Sequence, residues 1–217
     1  DIGIGTSNAL SNTNPEMING YMAYGSNDTY NNGNGSLMRI LPVCIYAADL
    51  PFSEGVEIVH MASAVTHPHY ISLIGCGIYY GIVKAMIEAA DGALLDVVSK
   101  GIAMAREFYV GRAGYADYTG RYHRLFDLPV SEYGALSEDE IKSSGYVLDT
   151  LEAAVWGLLN YSDYKEMMTV LIRFGKDTDT LACVAGGLYG LYHGAEKIPA
   201  EWISSIRNRE LVEKLCR

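Results

Sequence analysis

Apolar residues recur along most of the chain at the three-to-four-residue spacing of a helix face, not at the two-residue spacing of a half-buried strand. Over 53–65, Val56, Val59, His60 and Ser63 fall on one face, with Ser53 as the expected N-cap and Pro68 closing the run. The stretch 70–90 is apolar almost all round and contains several glycines, which predicts a helix in the centre of the core. Amphipathic helices are expected over 94–110 and over 147–159, the second carrying Val147, Leu151, Ala154, Val155 and Leu158. A short helix over 164–173 and another over 178–193, with Leu181, Val184, Leu188 and Leu191 on one side, continue the pattern. Pro199 suits the first turn of a last helix whose apolar stripe is Trp202, Ile203 and Ile206.

Two regions lack that period. Residues 6–34 are rich in Asn, Ser and Gly and lead into Asn31-Asn32-Gly33-Asn34-Gly35-Ser36, small residues that let a ligand approach the main chain. Residues 111–136 are rich in Tyr, Arg and Gly and read as a long loop or a run of short helices. With no alternating strand pattern and no internal repeat, the expectation is an all-α fold. A chain of 217 residues, 49% hydrophobic, can bury one sizeable core, so a single domain follows.

Charge narrows the function classes. A formal net charge of −10, with only 16 scattered Lys and Arg, disfavours a nucleic-acid backbone partner, whose affinity rests on clustered cations. No uninterrupted apolar run reaches the roughly 20 residues that span a bilayer, and no basic amphipathic helix offers itself to a membrane surface. Cys44, Cys76, Cys183 and Cys216 lie far apart without a CxxC pair, which suggests free thiols in a reducing, cytoplasmic compartment. Asp1 follows neither an initiator Met nor a signal peptide, so a segment is expected to have been removed ahead of it.

The densest chemistry is Phe174-Gly175-Lys176-Asp177-Thr178-Asp179-Thr180, two carboxylates and two hydroxyls just ahead of an apolar-periodic helix. Hard cations such as Mg²⁺ or Mn²⁺ take oxygen ligands, and a turn entering a helix can aim Asp177, Asp179 and Thr180 at one ion, provided that Asp177 lies just outside the helix. Simple N-capping is the competing account, since Asp and Thr both suit that position. The Asp-x-Asp-Thr order is also that of Mg²⁺ phosphohydrolases that use an aspartyl nucleophile, but such a nucleophile needs a buried strand before it. A second candidate is Asn32-Gly33-Asn34-Gly35-Ser36-Leu37-Met38-Arg39, a loop that can cradle a phosphate or a ribose hydroxyl, or serve only as a turn. A third is Thr66-His67-Pro68-His69, where a histidine can orient a ligand, bind metal, or cap the preceding helix.

Taken in order, these segments resemble the successive motifs of the ADP-ribosylglycohydrolases. The matching stretches are Asp1-Ile2-Gly3, the 33–39 loop, Thr66-His67, Ser144-Gly145-Tyr146-Val147 with Asp149 to Trp156, Gly175 to Thr180, and the closing Tyr189 to Gly194 with Ile198 to Trp202. The resemblance implies an orthogonal helical bundle with a binuclear Mg²⁺ or Mn²⁺ site below an ADP-ribose cleft. It implies that Asp177, Asp179 and Thr180 are metal ligands. Gly33, Asn34, Gly35, Ser36 and Met38 would line the ligand, His67 would lie near a ribose, and Gly145 with Tyr146 would lie at the nucleotide end. Asp1, and Asp179 beside the metal, are the acidic candidates for handling a proton at the glycosidic bond.

Two departures stand out. The family's opening segment, with the remaining metal ligands, has no counterpart in these residues, and Lys176 stands where a glycine is common. The expected activity is therefore metal-dependent cleavage of ADP-ribose from an acceptor side chain or small molecule. The alternative is a non-catalytic relative that keeps the fold and binds ADP-ribose or serves structurally.

Overall fold

The computed structural model describes residues 3–12, 25 and 28–215. In chain order the helices begin with α1 (Ile4–Ser11), α2 (Leu41–Tyr46), α3 (Phe52–Ala64), α4 (Tyr70–Glu88) and α5 (Leu94–Tyr109). Four-to-five-residue pieces follow as α6 (Ala116–Thr119), α7 (His123–Phe126) and α8 (Val130–Gly134), in the Tyr- and Arg-rich region where no sustained period is present. The chain then forms α9 (Val147–Asn160), α10 (Tyr164–Arg173), α11 (Thr178–His193), α12 (Ala200–Ser204) and α13 (Arg209–Leu215). No strand occurs among the described residues, only an isolated antiparallel bridge between Gly33 and Tyr146. The fold is all-α.

The expected N-cap of α3 is displaced. The helix begins at Phe52 with Pro51 at the N-cap (φ −50°, ψ 143°), and no side chain caps it. Proline's fixed φ and missing N–H suit the entry to a helix, so Ser53 is left inside the first turn. Residues 164–173 are helical, as α10, which removes the strand that an aspartyl-nucleophile phosphohydrolase requires immediately upstream of Asp177. The stripe on the last helix is only partly used: Trp202 packs against the core, whereas Ile206 is exposed.

By length and composition α4 could cross a bilayer, which the count of apolar residues did not anticipate. Sixteen of its nineteen residues are buried, because it is the helix around which α2, α3, α5, α9 and α11 pack. The crossing with α5 is close enough to require glycine on both sides. A Cβ on Gly81 would lie 2.3 Å from the Gly101 carbonyl oxygen, and one on Gly101 would lie 2.5 Å from the Ile82 Cα. Two positions without a Cβ let the backbones meet, and the surrounding Ile82, Val83, Val98 and Ile102 close the gap.

Buried tyrosines stitch this core by giving their hydroxyls to main-chain carbonyls. Tyr80 donates to Ala47 (2.9 Å), Tyr122 to Ile71 (2.6 Å) and Tyr133 to Glu152 (2.6 Å). Lys84 is buried, yet its ammonium donates to the carbonyls of Ala48 (2.6 Å) and Leu50 (2.8 Å) and pairs with Glu88 (2.9 Å). It thereby caps the turn after α2, satisfying groups whose burial unpaired would be costly.

Candidate functional site

Residues 32–36 are held as a short clamp over the entry to α9. The Asn34 N–H donates to the Gly145 carbonyl (3.0 Å), and the Val147 N–H donates to the Asn32 carbonyl (3.0 Å). Asn32 is itself fixed, because its side-chain oxygen accepts from the Ser72 N–H (3.2 Å) and hydroxyl (3.0 Å) at the start of α4. Small residues make this pairing possible in an otherwise helical protein, since a pleated contact needs close main-chain approach.

The Asn34 side chain is the centre of the site. Its Nδ2 donates one hydrogen to Thr150 Oγ1 (2.8 Å) on α9 and the other to Asp177 Oδ2 (2.8 Å), residues 116 and 143 positions away. Thr150 passes its own hydrogen to the Ser144 carbonyl (3.2 Å). Gly145 is part of the same packing, as a Cβ there would lie 3.3 Å from Asp177 Oδ2. Three segments remote in sequence thus converge on one carboxylate.

Asp177 occupies the N-cap of α11, just outside the helix, but its side chain makes no capping hydrogen bond. Its carboxylate is turned to Asn34 instead. Partial burial pushes its pKa up, yet the hydrogen bond from Asn34 and the nearby Thr180 outweigh that and hold it below the usual Asp value. Asp179 follows in the first turn of α11, exposed, where the helix dipole favours a negative charge, and Thr180 is buried beside them. The approach to this turn passes through two left-handed residues, Gly175 (φ 75°) and Lys176 (φ 61°).

His67 packs against the other side of the loop. A Cβ on Gly35 would lie 3.1 Å from its Cε1, and one on Gly33 would lie 3.5 Å from its Nε2, so the glycines allow the ring to lie against main chain. Burial, with the nearby Arg39 charge, lowers its pKa to about 4, which keeps the imidazole neutral. His67 Nδ1 lies 2.6 Å from Thr66 Oγ1, and that oxygen also accepts from Arg39 (2.9 Å). Thr66 Oγ1 thus joins the imidazole to the Arg39 guanidinium, and its own hydrogen is free to go to Nδ1, the arrangement that puts the imidazole proton on Nε2 toward the loop. The main-chain N–H of His67 donates to the Ser63 carbonyl in the last turn of α3 (2.9 Å), but its side chain does not cap that helix. Arg39 does, donating to the Ala62 carbonyl (3.0 Å) as well as to that of Gly35 (3.0 Å). His69 caps the helix that follows, its Nδ1 accepting from the Ile71 N–H (3.3 Å).

The remaining candidates divide. Tyr146 belongs to the bridge with Gly33, and its buried hydroxyl, near Arg121, makes no hydrogen bond within 3.5 Å among the described residues. The Met38 side chain is exposed, while its carbonyl accepts from Cys183 (3.4 Å) on α11. The Ser36 side chain is fully buried against Cys76 (3.6 Å), so only its main chain can meet a ligand. Asp1 lies outside the described residues. Sequence reasoning missed Arg39, Thr66 and Thr150 as the supports of His67 and Asn34. All three stood inside or beside quoted motifs, but nothing local reveals which distant atom a hydroxyl or guanidinium will meet. Among the described residues no group of three or more His, Cys, Asp or Glu gathers as a metal site.

An all-α fold in which a glycine–asparagine loop is hydrogen-bonded to an acidic helix entry defines a class of protein, and comparison with known proteins supplies its name. The family model for ADP-ribosylglycohydrolase matches residues 1–217, and the chain belongs to that family. It is 28% identical over 217 residues to the ADP-ribosylarginine hydrolase Tri1 of Pseudomonas putida, covering 100% of this chain and 53% of that protein. It is 26% identical over 176 residues to the ADP-ribosyl-[dinitrogen reductase] glycohydrolase of Rhodospirillum rubrum, covering 80% of this chain and 50% of that protein. A solved structure titled ADP-ribosylglycohydrolase-related protein complex superposes with a TM-score of 0.75 at 25% identity, over 98% of this chain and 66% of the other. The chain spans about half the length of the two curated relatives.

Proposed function

We propose that this protein hydrolyses the glycosidic bond between ADP-ribose and an acceptor, using Mg²⁺ or Mn²⁺ held at Asp177, Asp179 and Thr180. The carrying observation is the Asn34 amide, which binds the small-residue loop to the Asp177 carboxylate and so puts a ligand-approach surface beside an acidic helix entry. The donor chemistry fits a hard cation: two carboxylates and a hydroxyl, with no thiolate or imidazole among them. In number they are part of an octahedral shell, the rest falling to water, substrate oxygens or residues beyond those described. A cation bound there would polarise ribose oxygens and lower the pKa of a water.

The chain's own groups then have distinct tasks. Gly33 and Gly35 leave room for the substrate against main chain, and neutral His67 offers its Nε2–H to a ribose oxygen. Asn34 orients Asp177 without taking up all the lone pairs of its carboxylate. Movement of a proton at the acceptor is assigned to a carboxylate, Asp179 or Asp1. The name of the Pseudomonas putida relative makes ADP-ribosylarginine the first substrate to test. The free thiols of Cys44, Cys76 and Cys183 suit a reducing, cytoplasmic setting.

The test is ADP-ribose release by the full-length protein, with metal affinity followed by calorimetry. Release should require Mg²⁺ or Mn²⁺ and stop on chelation, and Asp179→Asn should weaken metal binding and abolish release while leaving the fold intact. Unchanged metal affinity and turnover in that variant would remove Asp179 from the ligand set. Tight ADP-ribose binding without release from any substrate would favour the non-catalytic relative.

A further inference from the structure

Outside glycine, left-handed backbone occurs among the described residues at Lys176 (φ 61°) and Asn208 (φ 55°). Asparagine tolerates that region, because its short polar side chain can bond locally, whereas a long side chain at positive φ bears a steric penalty that glycine would escape. Nothing within the described chain offsets the penalty at Lys176. Its side chain is exposed and makes no hydrogen bond or ion pair there, although Asp177 and Asp179 stand one and three residues further on. Residues held in such conformations at a site are a pointer to function, because the backbone alone would be better served by a smaller residue.

The location says what the ammonium can serve. Lys176 adjoins Asp177, with consecutive Cα atoms about 3.8 Å apart, so its four-carbon stem starts at the rim of the locus built by Asn34, Gly145 and Asp177. The ADP-ribosyl group carries an anionic diphosphate, while the chain as a whole carries a formal charge of −10, a field that opposes an anionic ligand. Arg39, the cation under the loop, is spent on the Gly35 and Ala62 carbonyls and on Thr66. An uncommitted ammonium at the rim meets that need.

We propose that Lys176 is a specificity-determining contact for the diphosphate of the ADP-ribosyl group, its side chain retained at the site despite a strained backbone. The inference rests on the hydrolase reading above. The test uses the full-length protein with Lys176→Gly and Lys176→Asn, both compatible with left-handed backbone and both uncharged. Calorimetry with ADP-ribose, ADP and adenosine gives the affinities, and thermal melting gives the stability.

Both variants should melt at or above the wild-type temperature. They should bind ADP-ribose and ADP roughly three- to thirtyfold more weakly, the span between an exposed ion pair and a charge-assisted hydrogen bond. Adenosine affinity should not change. Equal ADP affinity in wild type and variants would overturn the proposal, as would a gain in Mg²⁺ or Mn²⁺ affinity with ADP binding unchanged, since that would make the ammonium a competitor of the cation. A fall in melting temperature with parallel losses for adenosine and ADP would make Lys176 structural. If wild type binds and releases ADP-ribose while the variants are indifferent, only the Lys176 assignment fails. If wild type binds neither ADP nor ADP-ribose, the hydrolase reading fails with it.

Discussion

The imidazole of His67 sits where a positive charge would face the Arg39 guanidinium and almost no water. With a folded pKa of about 4 against about 6.5 unfolded, neither state holds the proton above pH 6.5, and the pair contributes nothing there. As pH falls from 6.5 to 4 the unfolded chain takes up the proton and the folded chain does not, so stability declines, by about 3 kcal/mol at the lower end. His60 and His69 are also held below their usual range, chiefly by burial, and add to the same slope. The ring resonances of His67 should therefore stay those of a neutral imidazole down to about pH 4, and His67→Gln should flatten part of the acid slope in urea-melt stability. A midpoint near 6.5 in the folded protein would show that the ring is not enclosed as described. What could be read locally at this scale was the acidic cluster, because Asp177, Asp179 and Thr180 are contiguous. The Asn34 bond that orients Asp177 spans 143 positions, and no local pattern encodes it.

At the scale of elements, α4 and α5 depend on a contact with no room for a methyl group. Gly101→Ala would drive a Cβ into the Ile82 backbone, which cannot swing aside as a flexible side chain could. We expect a loss of about 1–3 kcal/mol in urea denaturation, with a melting temperature lower by several degrees, and an unchanged affinity for ADP-ribose per folded molecule. A variant as stable as wild type would mean that the helices cross less closely. Helical periodicity located α4, α5, α9, α10 and α11 because their buried faces repeat every three to four residues. It failed at the start of α3, where Ser53 has cap chemistry but Pro51 sets the backbone, and could not resolve α6 to α8, which are too short to establish a period.

At the scale of the whole molecule, the site exists only because the bundle brings residues 32–36, 145–150 and 177–180 together. A ligand bound there should stabilise all three as one unit, by about 2.7 kcal/mol at a hundredfold excess over Kd. In hydrogen exchange on the full-length protein, saturating ADP-ribose should slow exchange in these segments together, along with residues 66–67. Protection confined to one of them would indicate a ligand seated elsewhere.

The chain by itself determined that the protein would be an all-α bundle, that the acidic turn would open a helix, and that residues 31–36 would be a loop of small residues. These follow from spacing and side-chain chemistry within a few residues. Only the tertiary structure decided that Asn34 would join that loop to Asp177, that burial beside Arg39 would hold His67 neutral, and that Ser36 would turn into the core. Those outcomes depend on which surfaces helices bury against one another. Hydrogen bonds to atoms more than a hundred residues away are satisfied only when the packed core has excluded water and left each polar group one partner to choose.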